Sequence, residues 1–352
     1  MGSNDLQLPS SMKQAVMTEP GSIELRDVAL PVMGEGDVLV KIDAVGICTW
    51  EQKFFKGIPG SYPFIGGHEI SGRVLAVGPA VAQPLSPGDK VVVASLTRCG
   101  ECYYCRRGMD NLCLHTGSES TPGEMWGPGG FAEYFVARGY EVFKVSDQMP
   151  AAVGTLAEPL ACVLRSIDRG GIEFGDTVVV MGGGVMGLLH LMLAKARGAR
   201  VIMSEPDGER RKKALELGAI KAVDPLHEDL KAAVLAETGG IGARTVFFTA
   251  GGAKAVESGI GILMKNGILV VYGSTPKGDS FPLDPSTLHY DEIFLTGVTK
   301  HTKDTFRRAA ELISSGSLPL ESLISKRMPF DSVKEAFSLA GRLDTYRVIM
   351  EM

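Results

Sequence analysis

The stretch Thr177-Val178-Val179-Val180-Met181-Gly182-Gly183-Gly184-Val185-Met186-Gly187 decides how the chain is read. Its first five residues are apolar and mostly β-branched, which predicts a buried strand. The glycines after it fit G-x-G-x-x-G and open a helical stretch that runs to about Arg197. Gly182 suits a tight turn, Gly184 lets backbone approach a pyrophosphate, and Gly187 lets helix and strand pack closely. Val185 and Met186 lie at the helix N-terminus, which favours an anion. Alone, the pattern also fits a plain turn. The strand before it, the helix after it and an acid closing the next strand turn it into a dinucleotide site. That acid is Glu205, at the end of Val201-Ile202-Met203-Ser204-Glu205. A carboxylate there can accept both ribose hydroxyls and would repel a 2′-phosphate, so NAD is expected over NADP. Arg210 can lie against adenine, pair with phosphate or stand solvated on its helix.

Outward from this turn, strands and helices alternate. Strands are expected over 200–203, 245–248 and 268–272, and helices over 208–217 and 254–264. Repeated β-α units of this length imply a parallel sheet with helices on both faces. Residues before Glu158 have another texture. Short segments at 37–45, 70–77, 90–94 and 131–136, broken by Gly and Pro, predict a mostly β domain with no long helix. A helix over 303–314 and a strand near 347–350 are expected to return to that domain. The fold class is α/β in two domains, as 352 residues suggest.

Composition narrows the function. Hydrophobic residues make up 45% and charged residues 22%, the balance of an ordinary globular protein. Net charge is −5 with no long like-charge run, so neither nucleic acid nor an acidic membrane is expected as a partner. No uncharged apolar run of about 18 residues is present, so no bilayer-spanning segment is expected. The first residues lack a basic region followed by an apolar one and do not read as a secretion signal. Met12 is expected as the natural start, and the cytoplasm as the compartment.

Six cysteines occur, and Cys99, Cys102, Cys105 and Cys113 crowd into fifteen residues. In a reducing compartment such a cluster binds metal more often than it forms disulfides. Four thiolates make a closed tetrahedral zinc site with no position for substrate, so a structural role is expected. Free thiols or two local disulfides are the plainer alternative. Cys162, on the apolar stretch 160–164, reads as core.

Further motifs surround these two. They are Gly46-Ile47-Cys48, Gly66-Gly67-His68-Glu69-Ile70-Ser71-Gly72, Pro87-Gly88-Asp89-Lys90-Val91 and Ala157-Glu158-Pro159-Leu160. Taken in order, the set resembles the zinc-containing medium-chain dehydrogenase/reductase superfamily across nearly the whole chain. The nearest branch is the polyol (sorbitol-type) dehydrogenases, with threonine dehydrogenase beside it. The resemblance implies a GroES-like β domain plus a Rossmann domain. It divides the chain into residues 1–157 with a structural-zinc lobe at about 95–116, a nucleotide-binding domain at 158–296, and a return over 297–352. It implies two zinc ions per subunit, with the catalytic one held by Cys48, His68 and Glu69. Glu158 would bind that metal directly or through its water. A homodimer or homotetramer is also implied, through a sheet edge near 268–272 and 292–297.

The chain departs from the family twice. The family continues its first cysteine as C-G-[ST]-D-x-H, where this chain has Cys48-Thr49-Trp50-Glu51-Gln52-Lys53. The relay hydroxyl is replaced by Trp50, and an indole only donates. Thr49, Glu69, Glu158 or a metal-bound water is then left to move the proton. Trp50 either shapes the substrate pocket or packs at a domain seam, and Phe54 can add an apolar wall. Secondly, Lys300-His301 stands where sorbitol-type enzymes have Arg-Tyr near the substrate hydroxyls. A cation there favours an anionic group, or binds hydroxyls, cofactor or solvent.

The expected activity is hydride transfer between NAD and a secondary alcohol or ketone on a small polar molecule, such as a polyol or sugar acid. A threonine-like amino-alcohol dehydrogenase is the second reading. A lyase or isomerase that uses NAD transiently, without net redox change, is the third. A silent binding relative is disfavoured by the intact set of metal-ligand candidates.

Overall fold

Three stretches, residues 9–58, 61–116 and 126–352, are described by the computed structural model. They divide into two units, one holding the chain up to Glu158 together with Thr302–Met352, the other Pro159–His301. The first begins with an antiparallel hairpin, β1 (Ser11–Glu19) and β2 (Ser22–Ala29). After it come β3 (Asp37–Gly46), α1 (Thr49–Phe55), β4 (Glu69–Val77) and β5 (Lys90–Ala94). Two short strands follow, β6 (Tyr134–Arg138) and β7 (Val142–Lys144), then α2 (Ala151–Gly154) and the start of α3 (Ala157–Gly170). Val38, Val40 and Ile42 alternate inward along β3 and are fully buried, with Val91 and Val93 of β5 in the same core. Leu39 and Val92 between them are buried too, so these strands are covered on both sides there.

The second unit runs β8 (Thr177–Met181), α4 (Val185–Ala196), β9 (Arg200–Ser204), α5 (Gly208–Glu216), β10 (Lys221–Val223) and α6 (Leu230–Glu237). It continues through β11 (Ala243–Phe248), α7 (Ala253–Ile260), β12 (Leu263–Val271), α8 (Pro285–Asp291) and β13 (Phe294–Gly297). The sheet is wholly parallel in the order β10-β9-β8-β11-β12-β13. Val178, Val179 and Val180 have no exposed surface, as expected for a strand covered on both faces. The strand order reverses at β8, so the glycine turn stands at the topological switch point, where open α/β sheets bind ligands. This is a Rossmann sheet.

The tail adds α9 (Lys303–Ser315), β14 (Ile324–Pro329), α10 (Val333–Ala340) and β15 (Arg347–Glu351) to the first unit. There the main sheet has the order β14-β15-β3-β4-β5-β7, with β6 on β3. Gly46 at the end of β3 faces Glu69 of β4 on one side and Ile349 of β15 on the other. One end of this sheet therefore gathers residues from three distant parts of the chain.

Some expectations shift. The helix expected over 254–264 stops at Ile260, because β12 already begins at Leu263 and pairs with Ala243. The segment 268–272 is not an edge, since β13 covers β12 and is itself the last strand. The hairpin β1–β2, the short helix α1 and the helix α10 lie outside the expected elements, although Val333, Ala336, Phe337 and Ala340 of α10 recur at helical spacing and are buried. Cys162 is buried, as read from its apolar stretch. Among the described residues, no helix is long and apolar enough to cross a membrane.

Candidate active site

Cys48 follows β3 and caps α1 with extended backbone (φ −76, ψ 154). The third helical residue, Glu51, reaches back, and its Oε2 accepts the Cys48 N–H at 2.8 Å. This is the acidic half of a capping box. The other oxygen accepts the Gly67 N–H at 2.8 Å and lies 2.7 Å from His68 Nδ1. One fully buried carboxylate therefore fixes the α1 cap and the loop before β4 together. With Nδ1 donating to Glu51, the ring is left with Nε2 to offer as an electron-pair donor.

The ligand atoms of Cys48, His68 and Glu69 converge within 4.8 Å of one another. Glu69 is wholly buried and neither of its oxygens accepts a hydrogen bond. Its charge is met instead by the buried Arg347, whose Nη2 stands 2.9 Å from Oε1. Arg347 is fixed in turn by donating to the Ile47 carbonyl at 3.0 Å. Gly46 makes room for this arrangement, because a Cβ there would sit 2.2 Å from Glu69 Oε2.

Electrostatics follow from burial. It pushes Glu69 up to about 7, although Arg347 and His68 pull the other way and Glu158 pushes further up. Burial also pushes the Cys48 thiol up. For His68, burial alone would lower the pKa, but the Glu51 and Cys48 charges outweigh it and raise it well above the ordinary value. Buried electron-pair donors of mixed S, N and O type, one lacking any hydrogen-bond donor, fit a divalent cation of zinc character. Glu158 lies in the first turn of α3, nearly buried, and acts on Glu69 through its charge while standing outside the converging three.

Thr49 is exposed at the start of α1. Trp50 and Phe54 share a face of α1 at i, i+4, with ring centroids 4.7 Å apart. The Trp50 ring is 5.7 Å from that of His68. Phe54 is buried and stacks on Phe64 at 4.2 Å, so it supports the Trp50 ring from the core side. Trp126, which the sequence did not single out, completes the group at 6.1 Å from Trp50.

The sulfurs of Cys99, Cys102, Cys105 and Cys113 also gather within 4.8 Å, unbridged by disulfides. Backbone N–H groups point at them: Cys113 Sγ accepts from Cys99 and His115 at 3.4 Å each, and Cys99 Sγ from Cys102 at 3.3 Å. These donors favour thiolates, which zinc requires. Burial pushes Cys105 up to about 12, while on Cys113 the N–H bonds outweigh burial and bring it down to about 6. The lobe is anchored by Asp110, whose oxygens accept the Lys303 N–H at 3.2 and 3.4 Å. Beside it, the Tyr140 hydroxyl accepts the Arg98 N–H at 3.0 Å, and the Lys303 ammonium lies 4.2 Å over the Tyr140 ring.

In the second unit, Gly182 has φ +105, which an L side chain rarely adopts. A Cβ on Gly187 would come within 1.7 Å of the Gly182 carbonyl oxygen, so this helix and strand can pack only with glycine there. Gly184 opens to free space, and a Cβ there would have Arg210 Nη1 as its nearest neighbour, at 3.9 Å. Val185 and Met186 form the first turn of α4. Glu205 is nearly buried; one oxygen accepts the Gly183 N–H and the other the Asp207 N–H at 2.9 Å. Arg211, not anticipated, donates to the Glu205 and Pro206 carbonyls at 2.8 and 2.7 Å and holds the strand end in place. Lys300 is exposed with φ 55, and His301 is buried directly before the Thr302 cap of α9.

Two family models match the chain: an alcohol dehydrogenase GroES-like domain over residues 34–147 and a zinc-binding dehydrogenase domain over 185–315. The chain belongs to the zinc-containing medium-chain dehydrogenase/reductase superfamily. It is 32% identical to L-threonine 3-dehydrogenase of Pyrococcus horikoshii, over 97% of this chain and 99% of that one. It is 31% identical to the erythritol/L-threitol dehydrogenase of Mycolicibacterium smegmatis, over 95% and 96%. Among solved structures, a zinc-binding dehydrogenase from Sinorhizobium meliloti bound to NADP superposes with a TM-score of 0.89 at 31% identity, covering 98% of this chain and all of that one. As a member of this superfamily the chain is a zinc-dependent alcohol oxidoreductase that uses a nicotinamide cofactor.

Proposed function

We propose that this dehydrogenase oxidises a secondary hydroxyl of a small hydrophilic molecule, a polyol or sugar acid, and that it also runs the reverse reduction. The observation that carries the reading is the convergence of Cys48, His68 and Glu69, backed by Glu51 and Arg347. These three would hold the catalytic zinc, with Glu158 in reserve beside them. Bound there, zinc supplies Lewis acidity that lowers the pKa of an alcohol. Glu51 holds the His68 ring in one orientation and keeps its Nδ1 proton. Arg347 favours the ionised form of Glu69 against the pull of burial, and so the form whose lone pairs are available. Thr49, at the exposed end of α1, is the residue that would hand the proton to solvent in place of a relay from position 50.

NAD would lie along Gly182 to Gly187, its pyrophosphate on the α4 N-terminus and its ribose hydroxyls on Glu205. The Glu205 carboxylate supports NAD over NADP by repulsion of a 2′-phosphate. Arg210 lines the same turn and would lie against the adenine side. Lys300 and His301 would contribute to substrate selection. The four-cysteine lobe would carry a second, structural zinc. We divide the chain functionally at 157/158 and 296/297, the last segment rejoining the catalytic domain.

A homo-oligomer is also proposed, a dimer or tetramer built on the last strand. Phe294 and Leu295 of β13 are 56% and 39% exposed at an unpaired edge, which suits pairing with a second copy. Unbridged cysteines suit a reducing compartment, the cytoplasm.

The test is NADH formation from NAD with a panel of polyols, sugar acids and amino alcohols. Turnover of a polyol or sugar acid supports the reading. Turnover of threonine alone would shift it to the amino-alcohol class. Tightly held NAD with substrate conversion and no net NADH would overturn it in favour of a transient-redox lyase or isomerase.

A further inference from the structure

The chain contains only two tryptophans; Trp50 stands beside the candidate ligand His68, and Trp126 packs against Trp50. Trp50 is 39% exposed and Trp126 43% exposed, with ring centroids 6.1 Å apart and planes inclined at 58°. Beneath them lie the buried rings of Phe54 and Phe64, at 4.7 and 5.5 Å from Trp50, and at 5.1 and 5.2 Å from Trp126. Both side chains spring from anchored backbone. Trp50 rides on α1, and the Trp126 carbonyl accepts the Ile65 N–H at 2.9 Å. Two adjoining large apolar side chains left partly open to solvent suit a ligand that covers them.

We infer that Trp50 and Trp126 form an aromatic corner that receives the C–H face of a ring, so that the substrate is a cyclic polyhydroxylated compound, a cyclitol or pyranose, in preference to an open-chain polyol. The inference rests on the dehydrogenase reading above and narrows its substrate class. A six-membered polyol keeps its C–H groups together on one face and its hydroxyls around the rim. An open chain has no lasting apolar face and loses rotational freedom when held against one. Tilted indoles meet such a face while the rim hydroxyls remain free for the metal side, where His68 lies 5.7 Å from the Trp50 ring. The reaction stays balanced: the ring carbinol C–H bond breaks, its hydride passes to the NAD nicotinamide, the hydroxyl proton goes to solvent, and a ring ketone forms.

Because both tryptophans lie at the corner, intrinsic fluorescence reports its occupancy without labelling. The zinc-loaded enzyme is titrated with myo-inositol and methyl α-glucopyranoside, and in parallel with sorbitol and galactitol. The expected result is an emission change with the rings and binding about tenfold or more tighter than for the open chains. Trp126→Ala should lower the ring-to-open-chain ratio of kcat/KM by about tenfold or more, while Trp126→Phe restores most of it. Equal or tighter binding of the open chains, or an unchanged ratio in a folded Trp126→Ala variant, overturns the inference. Failure of the dehydrogenase reading looks different: no alcohol of either shape yields NADH. NADH formed from open-chain polyols with equal or better kcat/KM overturns the ring preference alone.

Discussion

Glu51 Oε1 lies 2.7 Å from His68 Nδ1, and the same carboxylate takes N–H donors from Cys48 and Gly67. It therefore both orients the candidate metal ligand His68 and closes the cap of the helix beside it. Glu51→Gln keeps the shape but removes the charge that the imidazole N–H faces. Zinc affinity at this site is expected to fall about 10- to 100-fold, as outer-shell changes do. A chelator competition that resolves the two zinc ions checks this, and the lobe zinc should be unaffected.

Arg347 meets a carboxylate that has no hydrogen bond of its own. Removing one partner of a buried pair strands the other charge. Arg347→Met should therefore destabilise the protein by ~3–5 kcal/mol. Urea unfolding of the metal-free proteins would measure it. A loss well under 1 kcal/mol would mean that water already reaches Glu69.

The cysteine lobe is tied to α9 through Asp110 and Lys303. Cys113→Ser removes one sulfur from the proposed four-cysteine zinc site. Bound zinc is expected to fall from two to one per chain, with a lower unfolding temperature. Elemental analysis and a thermal scan check both halves.

The regular parts of this architecture were legible because their signals are local. The glycine turn, the Cys48, His68 and Glu69 motifs and the four-cysteine spacing each occupy a short stretch. Arg347 was not legible, since it reaches Glu69 from a strand at the far end of the chain and no local pattern marks it. Glu51 had a signal, the Cys-x-x-Glu capping spacing, but a cysteine is a weak N-cap and the spacing alone does not mark a contact with His68. Trp126 meets Trp50 across the chain, directly and over the shared rings of Phe54 and Phe64, a tertiary fact. The short α1 has too few residues for its period to stand out among strands.

Glu205 accepts N–H donors from Gly183 and Asp207 and so is pinned at the edge of the glycine turn. Glu205→Ala should remove the repulsion against a 2′-phosphate. The NAD/NADP ratio of kcat/KM is expected to drop by about tenfold or more. Steady-state kinetics with both cofactors decide. A wild-type ratio near unity would remove the premise.

His190 of α4 is fully buried and satisfied when neutral: Nδ1 donates to the Met186 carbonyl at 2.7 Å and Nε2 accepts from Ser166 Oγ at 2.8 Å. Burial lowers its pKa to about 4, below the ordinary 6.5. The unfolded chain then binds the proton first as pH falls. The contribution of His190 is whole above pH ~6.5 and is lost progressively down to pH ~4. Between pH 7 and 5 wild type should lose ~2 kcal/mol that a folded His190→Gln variant does not. Denaturant unfolding of both proteins at the two pH values measures the difference.

Cys48, His68 and Glu69 are proposed to hold a zinc ion on which alcohol oxidation depends. The most direct measurement strips the protein of metal, refills the lobe, and follows NADH formation from NAD and an oxidisable secondary alcohol while further zinc is added. The expected result is activity that returns in proportion to the second zinc bound, and none in Cys48→Ser at any zinc level. Full activity before the second zinc binds, or an active Cys48→Ser protein, would contradict it.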